Sequence, residues 1–162
     1  MKQLISPQAM RESERQYFLA SGVRSIDVME RAAQALADCV RKNLAPGASV
    51  YFACGVGGNG GDGSACARLL AGDYRCQILQ LGAPVSPDAA ENLRRAREHG
   101  IPVHWIEHEL PPLLPVPDGW VDALFGTGLS RAPSGVAGIL IRRINADGRR
   151  GARIFAADIP SG

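Results

Sequence analysis

The sequence predicts an α/β domain: a parallel sheet with helices on both faces, entered through a pair of helices. Three observations predict it. Short apolar runs alternate with helical stretches from residue 49 onward. The connections between them are short, which implies right-handed crossovers that keep the strands parallel. Three of the apolar runs end in glycine-rich sequence, the pattern expected where strands deliver their loops to one edge of such a sheet.

The elements follow in order. Ser6-Pro7 followed by QAMRESERQYFLASG supplies a capping serine, a first-turn proline and a terminal glycine, so a helix is expected there. Ser25 opens a second helix, SIDVMERAAQALADCVRKN, in which Ile26, Met29, Ala33, Leu36 and Val40 recur at helical spacing. The period then changes. SVYFAC (49–54) reads as a strand feeding GVGGNGGDG (55–63), and a helix is expected from about Asp62 to Ala71. CQILQLG (76–82) is a second strand, and Pro87 to His99 a charged helix. IPVHW (101–105) is a short third strand, and the proline-rich LPPLLPVPDG (110–119) is a surface connection. WVDALFG (120–126) is a fourth strand and VAGILIRRINADG (136–148) a helix. ARIFAAD (152–158) is the last strand, and it runs into IPSG. With no helix to cover that strand, the chain reads as one domain over 1–162, cut short at its C-terminal end.

Size and composition narrow the function. At 162 residues, 46% hydrophobic and 21% charged, the chain suits one soluble domain, and a net charge of +2 implies no polyanion partner. No apolar run approaches the roughly 18–20 residues of a membrane span. MKQLISPQAMRESERQYF lacks the apolar core of a signal peptide, so the expected compartment is the cytoplasm. Cys39, Cys54, Cys66 and Cys76 form no CxxC pair and are expected as reduced core residues. His104 and His108 cannot share a helix face beside Pro102, so no histidine metal set is expected. Arg142, Arg143, Arg149, Arg150 and Arg153 are expected as a solvated helix-end face rather than a nucleic-acid patch.

The chemistry is expected where the strand ends meet. Gly55, Gly57 and Gly60 satisfy GxGxxG, but glycine at every second position satisfies many patterns. The acid that should close the second strand and bind ribose is missing, since CQILQLGAP offers only glutamines. A phosphate-gripping loop would carry lysine where Asp62 stands. Backbone amides at the helix start suit a pyrophosphate, with Asp62 either a helix cap or more. Asn59, Asp122 and Ser161 place oxygen-bearing side chains beside three turns, a set that suits a hard cation or merely loop sequence. Asp158, after the apolar IFAA, is expected half-buried at the sheet edge, as an acid–base group or a solvated turn residue.

Taken together, GVGGNGGDG, DALFGTGL and DIPSG resemble the loops GxGNNGGDG, D-x-x-x-GTGL and D-x-PSG of the NAD(P)H-hydrate epimerase family, the YjeF N-terminal domain, in the same order. The leading MRESERQYFLASGVRSIDVMERAAQALA is similar to that family's N-terminal helical pair. The resemblance implies a Rossmann-like three-layer sandwich, a homodimer, and interconversion of the R and S forms of hydrated NADH and NADPH (NADHX and NADPHX), with a bound potassium ion. It implies substrate contacts from Gly58, Asn59, Gly60, Gly61 and Asp62, and from Gly126, Thr127, Gly128, Leu129, Ser130, Arg131 and Ala132. Asp158 would meet the substrate at the reacting carbon, and Asn59, Asp122 and Ser161 would hold potassium. A dehydratase domain follows this one in many relatives. Gly58 stands where the family pattern has an asparagine. The competing expectation is a binding module of the same fold, for RNA or protein, that has no chemistry.

Overall fold

Every strand expected from the change of period is present in the computed structural model, which describes residues 9, 12, 13, 16, 17, 20–112, 114–126 and 132–162. They are β1 (Ser49–Cys54), β2 (Arg75–Gln80), β3 (Val103–Trp105), β4 (Gly119–Ala123) and β5 (Arg153–Ala156). All neighbours pair in parallel, in the order β3-β2-β1-β4-β5. The helices are α1 (Ser25–Asn43), α2 (Gly58–Leu70), α3 (Pro87–Glu98) and α4 (Gly135–Arg149). The helix expected before α1 lies largely outside the described residues. Among the described residues no helix is long and apolar enough to cross a membrane.

Side chains alternate across the sheet and so build two cores. Val50, Phe52 and Cys54 of β1 point to one face, where Ala33, Ala37 and Val40 of α1, Leu70 of α2 and Leu93 of α3 cover them. Tyr51 and Ala53 point to the other, against Leu140 and Ile144 of α4. The result is three layers. The apolar stripe read in α1 is the buried one, although Ile26, Met29 and Leu36 at its margin are only half-buried. Ser86 caps α3 through Ala89 N–H at 3.2 Å, with Pro87 in the first turn.

Three expectations need correction. Cys54, Cys66 and Cys76 are buried, and burial pushes the Cys54 and Cys76 thiols up to about 12, but Cys39 is exposed on the outer side of α1. Arg143 is not part of a solvated face. Its Nε donates to Asp147 Oδ2 at 2.8 Å and its Nη2 to the Leu114 carbonyl at 2.7 Å, and Trp120 Nε1 donates to the same carboxylate at 3.0 Å. This cluster pins the proline-rich connection onto α4. Finally, β5 ends at Ala156, so Asp158 sits on the turn beyond the strand rather than within it.

Candidate functional site

The glycine run is not a loop that precedes a helix; it is the first part of the helix. α2 begins at Gly58, with Gly57 as a cap that supplies no side chain, so Asp62 lies inside the helix and caps nothing. The reason is close approach. A Cβ on Gly60 would stand 1.8 Å from the Gly55 carbonyl oxygen, and one on Gly63 would stand 2.7 Å from Ala123 Cβ. Glycine costs about 1 kcal/mol per helical position relative to alanine. Only glycine lets the helix start directly on the end of β1, so packing overrides propensity here.

Gln80 completes this tip, and sequence reasoning missed it. The residue closes β2, where a dinucleotide-binding sheet would carry its ribose acid. Its side chain is buried and turned inward, and Nε2 donates to Gly55 O at 3.2 Å and to Gly82 O at 2.9 Å. A polar residue ending an otherwise apolar strand was the available signal.

The β4–β5 tip is built differently. Asp122 is buried on β4, and its carboxylate accepts from Ser161 N–H and Ser161 Oγ, each at 2.7 Å, and from Leu124 N–H at 3.3 Å. Ser161 Oγ also accepts from Phe125 N–H at 3.2 Å. The segment after β5 is thereby latched to the end of β4.

Gly126 is where the tips meet. A Cβ placed on it would lie 2.6 Å from Asp158 Oδ2 and 2.8 Å from Asn59 Nδ2. One group comes from the turn after β5, the other from the start of α2. Asp158 as a residue is exposed, against the expectation of half-burial, because the sheet ends before it; its carboxylate nonetheless folds back over Gly126. Of Gly58 to Asp62, Asn59 reaches this place, while Gly61 packs against Met29 and Ala89 instead. Thr127, Gly128, Leu129, Ser130 and Arg131 lie outside the described residues, and Ala132 is exposed.

The electrostatics single out Asp62. Burial, and then the charge of Asp158, push its carboxyl up to about 7. It helps line a cavity of about 330 Å³ with Asn59, Gly58, Ser25, Met29 and Asp88. Asn59 Nδ2 is buried and finds no hydrogen-bond partner among the described residues. An amide turned over would place its oxygen there instead, since the two orientations are a matter of assignment. Asn59, Asp122 and Ser161 thus offer an amide, one carboxylate and a hydroxyl around residues 125–126. Among the described residues no group of three or more His, Cys, Asp or Glu gathers as a metal site. One formal charge and neutral oxygens suit a weakly held monovalent cation better than zinc.

Comparison with known proteins now adds to the geometry. Residues 25–162 match the family model described as YjeF-related protein N-terminus. An NAD(P)H-hydrate epimerase of Lentilactobacillus buchneri is 35% identical over 100% of this chain and 74% of its own length. A bifunctional NAD(P)H-hydrate repair enzyme of Thermofilum pendens is 34% identical over 87% of this chain, which spans only 28% of that longer protein. The crystal structure of a yeast protein superposes with a TM-score of 0.75 at 19% identity, over 99% of this chain and 71% of that one, and so supports the fold.

Proposed function

The chain belongs to the family of YjeF-related N-terminal domains, and we propose that it is an NAD(P)H-hydrate epimerase, an isomerase that interconverts the R and S forms of NADHX and NADPHX. The observation that carries this reading is the convergence on Gly126 of a carboxylate from the turn after β5 and an amide from α2. Gly58, Asn59 and Gly60 open a helix whose first intrahelical bond is Gly61 N–H to Gly57 O, so their own N–H groups are free to face a pyrophosphate. Gly58 to Asp62 and Gly126 to Ala132 are the substrate contacts of this reading. With the tip of β2 closed by Gln80, the dinucleotide is held by its diphosphate and its damaged ring.

The chemistry at ring carbon 6 follows. That carbon bears a hydroxyl and is bonded to the ring nitrogen. A carboxylic acid protonates the hydroxyl, the nitrogen lone pair expels water, and a planar iminium remains. Water then adds to the opposite face and loses a proton, which inverts the centre. Asp158, the carboxylate over Gly126, is the acid–base group of this exchange, a role worth about 10²–10⁴-fold. The two loops hold the ring in register with it.

Asn59, Asp122 and Ser161 would hold potassium, which when bound supplies a fixed positive charge beside the site's carboxylates. The orphaned Asn59 amide and the oxygen donors beside it fit that ion. The homodimer belongs to the same proposal and is read by sedimentation.

The test is epimerisation of the purified R and S hydrates by the 162-residue chain in potassium buffer. Asp158→Asn is expected to lower kcat by about 10²–10⁴-fold; near-normal turnover removes Asp158 from this role. Replacing potassium with tetramethylammonium is expected to lower the rate, and an unchanged rate removes the ion.

A further inference from the structure

A dinucleotide held at its diphosphate and its damaged ring still has an adenine to place. We propose that Val56 and Val85 form an apolar ledge that takes the adenine face of the substrate. This rests on the functional reading given above and adds a third hold to it.

The sheet order gives the direction. α2 starts beyond β1, the central strand, and Gly126 lies beyond β4 on one side of it. A diphosphate joins two nucleosides, so a dinucleotide extended across the helix start sends them to opposite sides. With the damaged ring at Gly126, the adenosine passes over the ends of β1 and β2. Val56 and Val85 stand there. Val56 precedes the Gly57 cap of α2, and Val85 lies on the connection from β2 to α3.

The ledge is held from several sides. Val85 N–H donates to Val56 O at 2.9 Å, which fastens the two connections together. Val56 lies over Gly82, where a Cβ would stand 3.2 Å from its Cγ1, and Gly82 makes its turn at a φ of 75°. Gln80 Nε2, donating to both Gly55 O and Gly82 O, ties the same two connections at their roots. Yet Val85 is 76% exposed, the most of any large apolar residue among those described, and Val56 is 39% exposed. Trp105, 47% exposed at the end of β3 and in register with Gln80, carries the apolar exposure onto the next strand. One exposed valine is ordinary. Two on fastened connections, beside the free N–H groups that open α2, offer a ligand contact area at little cost in ordering.

A purine suits this surface. Its broad faces gain dispersion contact from aliphatic carbon. Because Gln80 turns inward and no acid closes β2, the grip on this half of the substrate comes from the base rather than the ribose. The cavity lined by Ser25, Met29, Asp62 and Asp88 also opens at Gly58, but it presents two carboxylates where the ledge presents hydrocarbon.

The test uses the 162-residue chain and two lengths of substrate, NADHX and the hydrate of reduced nicotinamide mononucleotide, which has no adenosine. Val85→Ser keeps the N–H bond to Val56 and changes an exposed side chain, so the fold stays intact. It is expected to raise KM for NADHX by about tenfold, with kcat and the mononucleotide KM changed less than about twofold. Val85→Ile should keep the wild-type KM. In calorimetry without any hydrate, AMP should bind the wild type about tenfold more tightly than ribose 5-phosphate, and Val85→Ser should lose that preference. Asp88→Asn, on the cavity wall, should keep it. The ledge is overturned by an unchanged KM for NADHX in Val85→Ser, or by an equal rise for both substrates. It is overturned equally by a wild type without the AMP preference, or by a preference lost in Asp88→Asn and kept in Val85→Ser. A wild type that sediments as a larger species than Val85→Ser also overturns it, since a second copy of the chain then covers the valines. Failure of the wild type to epimerise any hydrate overturns the functional reading instead, and AMP binding still decides the ledge.

Discussion

Asp62, inside the helix that follows β1, and Asp122, near the end of the neighbouring β4, are the same residue type, and the fold treats them in opposite ways. Asp122 is buried and fully served, accepting from Ser161 N–H, Ser161 Oγ and Leu124 N–H. Asp62 is partly buried and unserved, with a second carboxylate for a neighbour. A buried carboxylate that collects donors holds chain segments together. One that is denied them costs stability and keeps a proton where a bare aspartate would have lost it. The contrast extends to the tips that carry them: that of β1 is bare backbone in close contact, that of β4 and β5 is tied by side chains.

The largest effect expected comes from breaking the bare-backbone tip. Gly60→Ala puts a methyl 1.8 Å from Gly55 O, where no rotamer helps. A loss of about 3 kcal/mol is expected in urea unfolding, because the helix must lift off β1. A change below 1 kcal/mol would show that the tip yields and is not close-packed. Next comes the tied tip. Asp122→Ala strips Ser161 of its acceptor and is expected to cost about 2–3 kcal/mol, with faster proteolysis after Ala156. An unaltered digestion pattern would mean that the latch does not hold the segment.

How much of this was open to a sequence reading differs between the same two tips. The β4–β5 tip was legible, because D-x-x-x-GTG and DIPSG announce polar side chains at strand ends, and Asp122 and Ser161 proved to be partners. At the β1 tip only the strand was legible. The start of α2 was not, since glycine argues against helix until one sees that the strand end leaves no room for a Cβ. The sequence accordingly leaves Asp62 open between a helix cap and a site residue. Gln80 was counted merely as a missing acid, because its inward turn depends on two carbonyls that only the folded chain brings to it. The exposure of Asp158 was missed for a simpler reason: strand ends are soft in sequence, and β5 stops at Ala156.

Two smaller effects sharpen the comparison. Asp62 has a folded-state pKa raised to about 7 against 3.8 for the free residue. Between those values the folded chain holds a proton that the unfolded chain has lost, so this residue makes stability fall as pH rises through that window. Asp62→Asn should therefore be more stable than wild type at pH 8, by about 1–2 kcal/mol, and equal to it near pH 3. A destabilised Asp62→Asn at pH 8 would place Asp62 among the served carboxylates after all. The smallest effect belongs to Ser161→Ala, which keeps the Ser161 N–H bond to Asp122 and loses only the hydroxyl, costing about 1 kcal/mol. A loss as large as that of Asp122→Ala would mean that the hydroxyl alone carries the latch.

The inward amide at the end of β2 limits how this scaffold can be retooled. Engineers who install an acid at that position to recruit an adenosine ribose, as one would when building an oxidoreductase, would here aim a negative group at two peptide oxygens. Gln80→Glu offers no new grip on a sugar; it loosens the glycine turn instead. Redesign would have to reroute residues 55–57 and 82 together before any charge is added.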